Sequence, residues 1–270
     1  IGLKGGVALR QDAPDDLAVY LAATVLLGVI TAISAYFIAK AWLRDNRINA
    51  AAMAAHFGSV SAVTFIAAQQ FSERTGQAAD SVLVALVVAM ELPAILIGLA
   101  LAKGSRGIRW HDVREVVTGK TALLLLGGLT IGALSSKDGL AKVDAMYFQL
   151  FQGTLMLFML DMGMLAAGQL RLVGREAFRL GVYATAVPLL HGLFGVMLGH
   201  WIGMNASTAA VFGTMASSAS YIAAPASIRA SLPDANVGRC ITAALGFTFP
   251  FNLAIGIPVY FALANFLQTF

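Results

Sequence analysis

Gly58-Ser59-Val60-Ser61-Ala62-Val63-Thr64-Phe65 lies in the middle of an apolar stretch running from 48 to 69. About 20 apolar residues cross a bilayer's hydrocarbon as one helix. Glycine and serine in the centre of such a span have two uses. One is close helix packing through small residues. The other is a helix break, tolerated at membrane depth only where it lines a cavity. A second segment of the same kind, Ser217-Ser218-Ala219-Ser220-Tyr221, sits inside the stretch 206–228.

Working outward, further apolar stretches fall at 17–40, 81–102, 121–136, 146–170, 178–201 and 240–267, and residues 1–9 read as the tail of another. The composition agrees: 59% hydrophobic and 12% charged over 270 residues, about half the charge of a soluble chain. That excludes a soluble enzyme, a disordered chain and a disulfide scaffold. The single cysteine, Cys240, makes no internal disulfide and no metal cluster. The net charge of +4 is spread too thinly for a nucleic-acid surface. The apolar runs are too long for a β-barrel, so the expected class is an all-α polytopic membrane protein.

The basic residues divide unevenly between the two sets of loops. Lys40, Arg44 and Arg47, the loop 103–120, Arg171 to Arg179, and Arg229 with Arg239 hold 13 of the 18, against four in Arg10, Arg74, Lys137 and Lys142. The positive-inside rule assigns the first set to the cytoplasm and Phe270 to the outside. The chain opens on Ile1-Gly2, with neither a methionine nor a signal peptide, and reads as a start inside a longer protein.

Three matches relate the halves. Gly2 with Leu9-Arg10 corresponds to Gly163 with Leu170-Arg171. Ser59-Val60-Ser61 corresponds to Ser218-Ala219-Ser220, and Pro93 to Pro250. The matched spans run in opposite directions, which predicts an inverted repeat of five plus five helices with the first span missing from this chain. Residues 1–110 form the first repeat, 111–120 a cytoplasmic linker and 121–270 the second. Inverted repeats with a site at the midplane belong to transporters.

If the serine segments are breaks, each exposes a half-helix N-terminus, and two such ends converge on a small anion. The expected anion site is Gly58, Ser59, Val60, Ser61 and Ala62 with Ser218, Ala219 and Ser220. No Lys or Arg lies near these serines in sequence, so a small monovalent oxyanion with a co-bound cation fits better than a multivalent one. Charges inside spans are functional candidates: Asp161 and Glu91 are the carboxylates that could ligate Na⁺ or carry a proton, with Thr64 and Asn252 as neutral donors. Each equally fits a structural role, and His56, His191 and His200 read as interhelical partners.

Gly58 to Phe65, Ser218-Ala219-Ser220-Tyr221-Ile222-Ala223-Ala224-Pro225-Ala226 and Phe249-Pro250-Phe251-Asn252 together resemble the sodium-dependent bicarbonate transporter family of cyanobacteria and other bacteria. The likeness runs from Gly2-Leu3-Lys4-Gly5-Gly6 to Pro258. It implies Na⁺/bicarbonate symport into the cytoplasm, ten spans in two inverted repeats, a homotrimer in the inner membrane, and both termini outside. It implies bicarbonate between Ser59, Ser61, Ser218 and Ser220, and in some members a cytoplasmic PII-like regulatory trimer. The loop 103–120 is short for such a partner, and the first span is absent. No organic cofactor is expected; Na⁺ is the coupling ion. The alternatives are a Na⁺- or H⁺-coupled carrier of another small carboxylate, an intramembrane serine hydrolase pairing Ser59 or Ser61 with His191, and a helical assembly protein with no substrate.

Overall fold

The computed structural model describes residues 2–11, 14, 16–104, 107, 109–169 and 175–269, and they contain helices and no strand. Leu170-Arg171 of the first repeat match, and Phe270, lie outside the described residues.

The helices are α1 (Gly2–Gln11), α2 (Leu17–Ile38), α3 (Arg47–Phe57), α4 (Ala62–Arg74), α5 (Leu83–Lys103), α6 (Trp110–Val117), α7 (Lys120–Leu134), α8 (Lys137–Ala141), α9 (Leu150–Gln169), α10 (Arg175–Trp201), α11 (Ala206–Ser217), α12 (Ala223–Ser231), α13 (Val237–Ile241), α14 (Phe249–Phe251) and α15 (Ile257–Leu267). Five stretches are long and apolar enough to cross a membrane: Leu17–Leu43, Arg47–Arg74, Leu83–Lys103, Glu176–Trp201 and Val237–Leu267. The apolar helix segment Ala122–Leu134 is shorter. The expected span 206–228 is not one helix: α11 stops at Ser217 and α12 starts at Ala223.

Two groups of helices make the core. α3 packs between α2 and α5, and α11 packs between α10 and α15. Both central helices start on an asparagine cap. Asn46 Oδ1 accepts from Asn49 N at 2.8 Å, and Asn205 Oδ1 accepts from Thr208 N at 2.9 Å. Each cap satisfies an amide that the first turn leaves without a partner. The start of each group also holds a loop of the other. Asn49 Oδ1 accepts from Asn236 N, after α12, and Thr208 Oγ1 accepts from Asp80 N, after α4, both at 2.9 Å. α3 and α11 are almost wholly buried. Their alanines and glycines let neighbours approach closely, as helices in lipid require. A Cβ on Gly58 would stand 2.5 Å from the Cβ of Ala32.

Prolines accompany the irregular turns of the last span. Proline lacks the N–H that would bond the carbonyl four residues earlier. Pro188 in α10 leaves Ala184 O without its helix donor, and the Thr248 hydroxyl donates there at 2.6 Å. The π-helical turns Thr242–Thr248 and Asn252–Gly256 end shortly before Pro250 and Pro258. Wide turns of this kind inside α-helices are one way a ladder absorbs such a gap.

α1 and α7 lie side by side, running the same way, through glycines. A Cβ on Gly2 would meet Leu125 O at 2.5 Å, and one on Gly6 or Gly132 would collide with the backbone of the opposite helix. Arg10 Nη1 donates to Ser135 O where the pair ends.

At the other end of the molecule, Arg239 pairs with Asp45, in the turn between α2 and α3. Asp45 is buried and its Oδ2 has no hydrogen-bond partner. Burial pushes its carboxyl above the ordinary value, and Arg239 opposes that only in part. A raised carboxyl means the folded state holds its proton more readily, so this group's contribution to stability falls as pH rises. Nearby, Lys103 pairs with Asp112 at 2.5 Å, and Asp112 Oδ2 accepts from Arg109 N at 2.8 Å, fixing α6 on the end of α5. The lysine's hydrogen bond holds the Asp112 carboxyl below its ordinary value.

Removing Arg239 leaves Asp45 buried with no counter-charge. Arg239→Ala should lose about 2–3 kcal/mol, less than a fully buried pair because the arginine is partly exposed, and should regain part of it as pH falls from neutral. Thermal unfolding in detergent across pH measures both; a loss independent of pH would contradict the burial of the charge.

Candidate functional site

The first break, 58–61, lies between α3 and α4, and the second, 218–222, between α11 and α12. They touch and bond each other. Ser61 N donates to Ser218 Oγ at 2.7 Å, and Ser220 N donates to His56 O at 2.8 Å. The Ser218 hydroxyl in turn donates to Met215 O at 2.8 Å, so it ties one break to the end of the other helix.

Serines also cap the half-helices that follow. Ser61 Oγ accepts from Thr64 N at 3.3 Å, and Ser220 Oγ accepts from Ala224 N at 3.2 Å. The third residue of α12 is Pro225, whose missing N–H costs nothing in a first turn. The amides of Ala62 and Ala223, the first residues of α4 and α12, have no acceptor within their helices. The positive ends of both helix dipoles therefore meet at one place.

A cavity of about 540 Å³ opens there. Its wall includes Val60 and Ser61 of the first break with Ala62 of α4, Ser220, Tyr221 and Ile222 of the second with Ala223 of α12, Glu91 and Val87 of α5, and Lys120 of α7. Glu91 is buried in this wall, 7% exposed. The Tyr221 hydroxyl is buried and makes no hydrogen bond.

The expected residues separate into two sets. Ser61, Ser220, Val60, Ala62 and Glu91 share the cavity. Gly58, Ser59, Ser218 and Ala219 are buried behind it and do not line it. The Ser59 hydroxyl has no hydrogen-bond partner, whereas that of Ser218 is spent on the strut. Thr64 is buried in the first turn of α4, off the cavity. Asn252 works as a strut: its Nδ2 donates to Ser217 O at 3.0 Å and its Oδ1 accepts from the Ser217 hydroxyl at 3.2 Å. Asp161 is exposed on α9 and does not reach the cavity. Among the described residues no three His, Cys, Asp or Glu side chains cluster, so a cation here would rely on Glu91 and neutral oxygens.

Two wall residues escape a reading of the sequence. Lys120 falls at the end of a basic loop, and Tyr221 stands as the tail of a serine motif. His191 of α10 has an interhelical partner, its Nε2 lying 2.7 Å from Ser34 Oγ of α2, whereas His56 Nδ1 donates to Ala52 O within α3 at 2.7 Å. His191 is thus bonded to Ser34 rather than to either serine of the hydrolase alternative.

Apolar helices long enough to span a membrane, a largely apolar cavity reached by a few polar groups, and the family match together mark a multi-pass membrane transporter, not an enzyme. The chain belongs to the Na⁺-dependent bicarbonate transporter superfamily, whose family model matches residues 1–265. No curated protein matches the chain.

The strut carries a prediction of its own. Ser218→Ala strips the acceptor from the buried Ser61 amide, and a buried donor left unpaired costs about 1–3 kcal/mol. The variant should unfold at lower temperature than Ser59→Ala, which removes a hydroxyl that bonds nothing. Equal melting temperatures in detergent would refute the strut.

Proposed function

We propose that the chain carries bicarbonate into the cytoplasm with Na⁺, holding the anion between Ser61 and Ser220. The observation that carries this reading is the meeting of two half-helix N-termini on one cavity, each opened by a capping serine. Such an end offers N–H donors and about half a positive charge. Two of them suit a small monovalent oxyanion, and the family's substrates are of that kind.

The reading rests on an inverted repeat, with residues 1–110 and 121–270 as its halves. The hydrogen bonds of the two groups support it: Asn46 and Asn205, Asn49 and Thr208, and Ser59 and Ser218 are each 159 residues apart, and the first two pairs play the same role in each half. On this reading 58–61 and 218–222 are the midplane breaks of discontinuous helices. Glu91 is the favoured Na⁺ ligand, since it alone of the four candidates lines the cavity. Asp161, on its exposed face, belongs instead to a contact with a second copy in a homotrimer. The bacterial inner membrane, a C-terminus outside and a PII-like regulator on the cytoplasmic face complete the proposal; the basic loops support its orientation.

Labelled bicarbonate uptake by proteoliposomes, with and without a Na⁺ gradient, tests it. Uptake should need Na⁺, and Ser61→Ala or Ser220→Ala should weaken bicarbonate affinity about tenfold, one charged hydrogen bond's worth. Glu91→Gln should blunt the Na⁺ dependence. Uptake indifferent to Na⁺ would replace symport by a uniport or proton-coupled cycle.

A further inference from the structure

The cavity wall holds three titratable side chains among the described residues, Glu91, Lys120 and Tyr221, and Lys120 is the one cation. Lys120 begins α7, directly after Gly119, and its side chain is exposed. Glu91 and Lys120 also line a smaller void of about 60 Å³, which shares Ala223 with the main cavity and reaches Gly119, Ala226 and Ser227. It has room for a few water molecules. The lysine and the carboxylate therefore face the same two spaces, one of which contains both capping serines.

The charges on this wall have a physical consequence. The two helix ends offset an anion only in part, and stripping its water still costs several kcal/mol. A cation at the edge of a low-dielectric cleft raises the local anion concentration and repels cations. A lysine suits such a place, because its ammonium stays hydrated on a flexible stem and meets an ion without trapping it. Glu91 lines the same void.

We propose that Lys120 is the anion-selecting residue of this cavity, acting by its charge on ions that enter from its side. The inference rests on the transport reading above and assigns that reading's charge filter.

The test reads electrostatics rather than transport. Cys240 is buried, 1% exposed, so a Ser61→Cys variant places one reactive thiol in the cavity. Its labelling rates with an anionic and a cationic methanethiosulfonate reagent are measured in purified protein, each divided by the rate with a free thiol. With Lys120 present the ratio should favour the anionic reagent. Adding Lys120→Gln should lower the ratio about two- to fivefold, the range for one solvent-exposed charge, and Lys120→Arg should keep it. Lys120→Met serves as a second neutral variant should Lys120→Gln not fold, and high salt should remove from the parent the same share of the ratio that the neutral variants lose. A ratio unmoved by the neutral variants, whether or not salt moves it, would overturn the assignment. Proteoliposome uptake by the wild type is scored separately, so failure of the transport reading is recognised independently of this result.

Discussion

Peptide groups freed by a helix break inside an apolar protein must find partners, and in this molecule the two breaks find them in each other. A buried amide left without an acceptor costs about 1–3 kcal/mol. The serines of both breaks are buried, so solvent does little to reduce that cost. Ser218 Oγ takes the amide of Ser61, and His56 O takes that of Ser220. Neither break is satisfied without the other half of the chain. The asparagine caps and the bonds from Asn236 and Asp80 then fix the far ends of the same helices, so the segments between have little freedom to slip. What is left unbonded at their meeting point is the small set of donors that face the cavity.

The same rule governs the prolines. A proline removes one helix donor; the Thr248 hydroxyl substitutes at Ala184, and the turns ahead of Pro250 and Pro258 are widened. These irregular turns lie in the second half, close to Asn252 and Tyr260, whose hydroxyl reaches Pro188 O at 3.3 Å. The polar network behind the second break is therefore a consequence of backbone repair. That explains why Asn252, conspicuous among apolar neighbours, is already occupied.

Much of this is legible in the residues. Apolar length and basic-loop asymmetry are properties of whole segments, so the positions of Leu17–Leu43, Arg47–Arg74 and Leu83–Lys103 follow within a few residues. The serine motifs stand out because Gly and Ser are unusual mid-span. The rotation of each residue about its helix axis is not legible. Ser61 faces the cavity while Ser59, two residues earlier, is turned away, and no composition argument separates them. Asp161 draws notice as an intramembrane carboxylate, yet its face of α9 is open. Lys120 and Tyr221 escape because proximity in space across α5, α7 and the second break leaves no mark in local sequence. The short helix α6 escapes too: it is eight residues long, and it is held by the Lys103–Asp112 pair, the Asp112 capping bond and the burial of Val116, contacts made only in the fold.

The composition of the breaks also has an electrical meaning. Residues 58–61 and 218–222 include no Asp, Glu, Lys or Arg. Carrying one elementary charge through a membrane potential exchanges about 2.3 kcal/mol per 100 mV. Serine hydroxyls and peptide dipoles bear no such net charge, so a membrane potential does no such work on these two segments themselves.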